Sequence, residues 1–189
     1  MPEPRDAAAT RRRLLDAATA EFAAVGIAGA RVDRIAAAAR SNKAQIYHYF
    51  GSKDALFDAV FEDVASVIAD AVPIDAENLP EYAGRLHDSY RAQPWVQRLA
   101  TWYRLERGRD SALEGIRRSN AAKVEAIAQA QEAGLVTAAY TPVELLGLVL
   151  HLSGFWSANV PEFDELSEEI DHERRREVVV RAVASVVAP

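Results

Sequence analysis

The segment Asn42-Lys43-Ala44-Gln45-Ile46-Tyr47-His48-Tyr49-Phe50-Gly51-Ser52-Lys53-Asp54-Ala55-Leu56 sets the architecture of this chain. Asn42 is a strong helix N-cap, and Gln45 stands three residues on, at capping-box spacing. Ile46 and Phe50 lie one turn apart and face inward, and Gly51 closes the short helix. Ser52 caps the next one, whose apolar residues Leu56, Ala59, Val60, Val64, Val67 and Ile68 recur at helical spacing until Pro73. Upstream, Val32, Ile35, Ala36 and Ala39 repeat at i, i+3, i+4 and i+7. That short helix lacks a Ser or Thr cap, although Asp33 favours its first turn electrostatically. Further upstream, Leu14, Ala18, Phe22 and Val25 share one face of a first helix, with Arg11, Arg12 and Arg13 at its polar start and Gly26 placed to stop it. Two short helices joined by a tight turn, the second opening with polar side chains, make a helix-turn-helix layout. There the second helix enters the major groove and its first residues meet base edges. Lys43 suits guanine or phosphate, Gln45 the N6/N7 edge of adenine, and Ala44 is small enough to meet a thymine methyl.

Charge supports this placement once it is divided along the chain. The 189 residues carry 22 Lys and Arg against 28 Asp and Glu, a net of −6 that by itself argues against a polyanionic partner. Residues 1–56 hold 9 basic and 6 acidic residues, or +3, and residues 57–189 hold 13 and 22, or −9. A basic end on an acidic body can grip a polyanion and keep the body soluble. No cysteine is present, which excludes a disulfide scaffold, thiolate metal sites and a thiol nucleophile. The N-terminal residues lead into no apolar core of the signal-peptide kind. The longest nearly uncharged run, Leu145 to Val160, is 16 residues and contains His151, Ser153, Ser157 and Asn159, too short and polar for a membrane span. A cytoplasmic protein is expected.

Lys43-Ala44-Gln45-Ile46-Tyr47-His48-Tyr49-Phe50-Gly51-Ser52-Lys53-Asp54-Ala55-Leu56 closely resembles the recognition helix and following turn of tetracycline-repressor-like (TetR) transcriptional regulators. Arg12-Arg13-Leu14-Leu15-Asp16-Ala17-Ala18 and Phe22-Ala23-Ala24-Val25-Gly26 are similar to that family's first helix, and Val32-Asp33-Arg34-Ile35-Ala36 to its second. The likeness covers about residues 10–60, and beyond them only the general plan matches. It implies DNA contacts from Arg31, Asn42, Lys43, Ala44, Gln45, Tyr47, His48 and Lys53, with Lys53 on a phosphate. It also implies a homodimer on a palindromic operator. Two departures stand out. Arg40 occupies the turn position where the family usually has Gly, so Arg40 must adopt an unusual backbone conformation or the turn differs. Ala30-Arg31 replaces the usual Ser/Thr at the start of the second helix, and Arg31 and Arg40 are placed to restore by charge a lost phosphate contact. Arg11–Arg13 are placed along a DNA backbone or minor groove, or form only a solvated face.

The remainder also reads as helical, with no convincing strand. Residues 74–80 form a loop, helices follow over 81–93 and 95–107 around Pro94, and Ser111 and Glu114 make a capping box for a helix stopped by Gly134. Thr141-Pro142-Val143-Glu144 starts a helix running to about Asn159. An acidic loop precedes a last helix from about Asp171 to Val187. The fold expected is all-α. A helix-turn-helix domain spans residues 1–56, with about the first eight disordered, and a larger helical effector-binding and dimerisation domain spans 57–189.

Trp95, Trp102, Tyr103, His151, Phe155 and Trp156, with His87 and Tyr90 nearby, are candidates to line a pocket for a flat or apolar effector. The plain alternative is an aromatic core. Leu145, Leu148, Val149 and Leu152, then Val179, Val183 and Val186, form broad apolar faces suited to a two-fold four-helix interface. No cofactor is expected, and no metal either, because the four histidines show no i, i+4 pairing. His151 and Ser153, two apart on a helix, face different ways, and no nucleophile elbow or phosphate loop accompanies them, so catalysis is not expected. These features describe a ligand-released repressor; the alternative is a constitutive or architectural DNA-binding dimer without an effector.

Overall fold

The computed structural model describes residues 4–107, 113–157 and 161–189, and its regular elements are all helical. In chain order they are α1 (Pro4–Gly29), α2 (Val32–Ala38), α3 (Lys43–Phe50), α4 (Lys53–Ala71), α5 (Leu79–Ala92), α6 (Trp95–Arg107), α7 (Glu114–Glu132), α8 (Pro142–Ser153), α9 (Pro161–Leu166) and α10 (His172–Val187). A 3₁₀ turn, Phe155–Ser157, follows α8. No helix among the described residues is long and apolar enough to cross a membrane.

The all-α expectation holds, with local corrections. Helix α1 is already formed at Pro4. Asn78 caps α5 by accepting from the Glu81 N–H at 3.3 Å, which starts that helix two residues earlier than expected. Helix α8 stops at Ser153 on a Gly154 cap instead of continuing; residues 158–160 lie outside the described residues. Ser111, half of the expected capping box with Glu114, also lies outside them. The acidic segment before α10 contains the short helix α9. The Thr141–Glu144 capping box is present: the Thr141 hydroxyl oxygen accepts from the Glu144 N–H, and the Glu144 carboxylate from the Thr141 N–H at 2.7 Å.

The chain divides into two compact units, Met1–Ser66 with Arg98–Leu113, and Val67–Gln97 with Glu114–Pro189. The division falls within α4 and α6, not after residue 56. In the first unit, Leu14, Phe22, Ile35, Ile46, Leu56 and Leu99 are fully buried. Phe22 meets Phe57 edge-on at 5.0 Å, and Tyr103 stacks on Phe61 at 4.0 Å. Arg107 donates to Asp58 at 2.8 Å and to Asp54 at 2.7 Å, with its guanidinium 5.3 Å from the centre of the Phe57 ring. Near its end α1 breaks at Gly26 (φ 66, ψ 179), where the Trp102 ring packs directly on the glycine backbone.

The second unit has its own core. Tyr82 and Leu86 from α5, Ile127 from α7, Leu145 and Val149 from α8, and Val179 and Val183 from α10 are buried together. Arg176 of α10 ties this core's rim to α5, donating to Asp88 at 2.9 Å and to Glu81 at 2.5 Å.

Candidate nucleic-acid interface and ligand cavity

The turn between α2 and α3 is a Schellman closure. The Ser41 N–H donates to the Ala36 carbonyl at 2.9 Å and the Arg40 N–H to that of Ala37 at 3.1 Å. That closure needs a left-handed residue at Arg40, whose φ is 51°. The same closure ends α7, with Gly134 in the left-handed place. The turn is therefore the glycine-type turn, built on an arginine. Asn42 then caps α3, accepting from the Gln45 N–H at 3.0 Å. The Gln45 side chain does not return to Asn42; its amide oxygen accepts from the Ser41 hydroxyl. Ile46 is fully buried, and that anchor turns Lys43, Ala44, Gln45, Tyr47 and His48 outward together. Half of the Tyr47 surface is exposed, so it does not pack into its own unit. Lys43 is paired with Asp33 of α2 at 2.6 Å, an exposed contact that a phosphate or guanine can replace at little cost.

The other predicted contacts fall into two groups. Arg31 and Arg40 are exposed beside α2. The missing cap of α2 is supplied from α1: Glu21 accepts from the Arg31 N–H at 2.9 Å and from Arg34 Nε at 2.8 Å. Lys53 is already engaged, donating to the carbonyls of Ile27 at 2.8 Å and Ala30 at 3.2 Å. An ammonium has three protons, so Lys53 seals the end of α1 and keeps one donor for a phosphate. Within the basic run, Arg12 bridges Asp16 and Asp63, Arg13 donates to Thr10, and Arg11 lies 5.2 Å over the Phe50 ring.

The second unit contains a cavity of about 350 Å³. Pro94, Trp156 and Ile170 give it apolar walls. His87, Tyr90 and Arg91 of α5, Ser157, and His172 and Arg175 of α10 give it polar ones. Arg175 Cζ lies 5.0 Å over Trp156, and its guanidinium donates to the Ser167 and Ile170 carbonyls at 2.9 Å each. His87 is almost wholly buried, and neither ring nitrogen has an aligned hydrogen-bond partner. The same holds for Trp156 Nε1, Asp88 Oδ1 and His172 Nδ1. Burial, and after it the adjacent His172 ring, push the His87 pKa below its ordinary value; Asp88 and the Ser153 carbonyl pull the other way. His87 is thereby kept neutral at neutral pH.

Against known proteins, residues 78–184 match the model described as "Tetracyclin repressor-like, C-terminal domain", and residues 14–60 match "Bacterial regulatory proteins, tetR family". This chain belongs to the TetR family. Like other TetR-family proteins it carries a helix-turn-helix DNA-binding domain in its N-terminal part and a larger helical domain after it. It is 40% identical over 164 residues to the HTH-type transcriptional repressor SCO4008 of Streptomyces coelicolor, covering 86% of this chain and 85% of that one. A solved structure of SCO4942, also from Streptomyces coelicolor, superposes with a TM-score of 0.83 at 38% identity, covering 94% of this chain and 98% of that one. A TetR-family regulator from Marinobacter aquaeolei, at 22% identity, shares the fold with a TM-score of 0.71 over 99% of both chains.

Within this TetR-family fold the expected effector residues are divided between the two units. Trp102 and Tyr103 belong to the unit that holds the helix-turn-helix, Tyr103 in its core and Trp102 against Gly26. His151 is exposed, with Nδ1 2.7 Å from the Gly147 carbonyl. Trp95 is half-buried at the start of α6, and Phe155 packs on Trp156 and Phe163. Of the six, only Trp156 lines the cavity, whereas His87 and Tyr90, named beside them, do line it. Sequence reasoning missed His172 and Arg175, which fall within the expected last helix. The expected dimer residues need a similar correction. Leu145, Val149, Val179 and Val183 are buried in their own unit's core, and Leu152 and Val186 pack against that core; Leu148 is exposed.

Proposed function

We propose that this protein is a transcriptional repressor that binds a palindromic operator as a homodimer and is released by a small-molecule effector. The observation that carries the reading is α3. One buried isoleucine and one asparagine cap present Lys43, Ala44, Gln45, Tyr47 and His48 as a single exposed polar face beside Arg31 and Arg40. Such a face fits a major groove, with Lys53 and the arginines fixing register on phosphates. The relative named a repressor, alike over most of the chain, supports repression over activation.

The cavity of the second unit supports an effector, because it has apolar walls and a few convergent polar groups. Its presence favours this reading over the effector-free dimer. The ligand acts by preferring a form of the dimer whose recognition helices are wrongly spaced. A 10- to 100-fold fall in operator affinity needs roughly 1.4–2.7 kcal/mol of such preference. For the second copy, the outer face of α8 is the better candidate than the residues named from sequence. Val143 and Leu148 are exposed there, and a Cβ on Gly147 would meet nothing within its own chain.

The test is selection of bound fragments from random DNA by the full chain at two salt concentrations. An enriched palindrome is expected, giving a probe with which compounds are screened for release. Salt-sensitive retention without enrichment would overturn sequence-specific regulation in favour of an architectural role.

A further inference from the structure

We propose that His87, Asp88 and His172 form a binding site for a late first-row divalent metal ion such as zinc, linking α5 to α10 at the wall of the cavity. This inference goes beyond the regulator reading and does not rest on it. The three side chains each bring one donor atom within 4.8 Å of the other two. His172 Nε2 already lies 3.1 Å from Asp88 Oδ1, without hydrogen-bond alignment. Two ligands of one tetrahedral ion, on bonds of about 2.0–2.1 Å, stand about 3.3 Å apart. The His87 and His172 rings lie side by side, 5.3 Å between centres and 16° from parallel.

The decisive feature is what these groups lack. His87 is 2% exposed and faces a cavity; the Ser153 carbonyl lies near its ring, but neither ring nitrogen has an aligned hydrogen bond. Burying such a group without a partner costs free energy that a bound ion would recover. Asp88 keeps Oδ1 without a hydrogen bond, while Oδ2 is fixed by Arg176. Orienting a liganding carboxylate through its second oxygen is a common supporting arrangement. Asp88 brings a carboxylate oxygen directly to the ion, and Arg176 sits on its other oxygen. An anionic ligand in place of the ion would suit Trp156 Nε1 and Arg175 but would set its charge against Asp88 Oδ1. Two imidazoles and one carboxylate match zinc, cobalt or nickel better than magnesium or calcium. Three protein ligands leave at least one position open toward the cavity for water or a small chelating molecule.

The experiment uses the full, untagged chain, stripped with a chelator and titrated with Zn²⁺ by calorimetry and with Co²⁺ by visible absorption. The expected result is one ion per chain, a cobalt spectrum typical of nitrogen and oxygen ligands, and a higher Tm with zinc. His172→Gln, a half-buried position at the helix start, should lower affinity by about 100-fold or more and abolish the Tm rise. His87→Gln provides a second ligand variant, and circular dichroism confirms that each is folded. His151→Gln, on an exposed histidine outside the cavity, should bind as wild type does. Wild-type affinity no tighter than that of folded His172→Gln, or an equal loss in His151→Gln, would overturn the proposal. Operator binding is measured separately on the same preparations, so the failure of one reading is distinguishable from the failure of the other.

Discussion

Gly26→Ala is the substitution for which the structure specifies the largest effect with the least change in chemistry. Gly26 sits at φ 66 and ψ 179, a backbone region open almost only to glycine, and forcing alanine there costs about 1–3 kcal/mol. A Cβ would also stand 2.7 Å from Cδ2 and Cε3 of Trp102, well inside van der Waals contact. Overpacking of this kind typically costs about 1–3 kcal/mol. The two penalties together centre near 4 kcal/mol, which for a chain of this size lowers Tm by about 8–16 °C. Urea and thermal unfolding of Gly26→Ala, Trp102→Leu and the double variant separate the contributions. Trp102→Leu opens the space the methyl needs, so the double variant should be more stable than the sum of the singles by at least about 1 kcal/mol. A Gly26→Ala protein within about 0.5 kcal/mol of wild type would refute the backbone argument. Additivity in the double variant would refute the steric one. The position also bears on DNA binding, since the Ile27 and Ala30 carbonyls that hold Lys53 lie just past this break.

Lys43→Ala and Tyr47→Ala should each weaken operator binding by about 1–3 kcal/mol while leaving the oligomeric state in size-exclusion chromatography unchanged; unaltered affinity in both would remove α3 from the interface. Arg40→Gly relieves the strain of φ 51 but frees the unfolded chain, so Tm should stay level or rise by a few degrees, and a marked fall would show that the Arg40 side chain holds the turn. Asp54 is held below its ordinary pKa chiefly by the hydrogen bond from Arg107. A depressed carboxylate stabilises the fold above its ordinary value and loses that contribution as pH falls through the folded value, so the advantage of wild type over Asp54→Asn should be full at pH 6 and start to shrink only as pH falls below about 4. Denaturation midpoints measured across pH 2–7 test this, and an advantage undiminished from pH 6 down to pH 2 would contradict it.

What could be read from the sequence was what the chain decides locally. The Asn42 cap and the Thr141–Glu144 box each follow from a few neighbouring residues and are found where those residues put them. Arg40 takes the left-handed one of the two outcomes left open, and at Gly26 the first helix kinks and runs on to Gly29 instead of stopping. The glutamate that serves α2 was invisible, because Glu21 reaches Arg31 and Arg34 only through the packing of α1 on α2. The apolar faces of α8 and α10 were found, and within the chain they contribute to their own unit's core. Leu145, Val149, Val179 and Val183 have the helical spacing of a buried stripe, and spacing does not say whether the surface that buries it belongs to the same chain or to another. The histidines show the limit most clearly. A search for metal ligands by i, i+4 spacing sees pairs on one helix, whereas His87 and His172 lie 85 positions apart and meet only because α10 packs on α5. Asp88 and Arg176 fix that contact from either side, and their pairing is itself non-local. The residues most open to a ligand are therefore those whose neighbours the fold, not the sequence, selects.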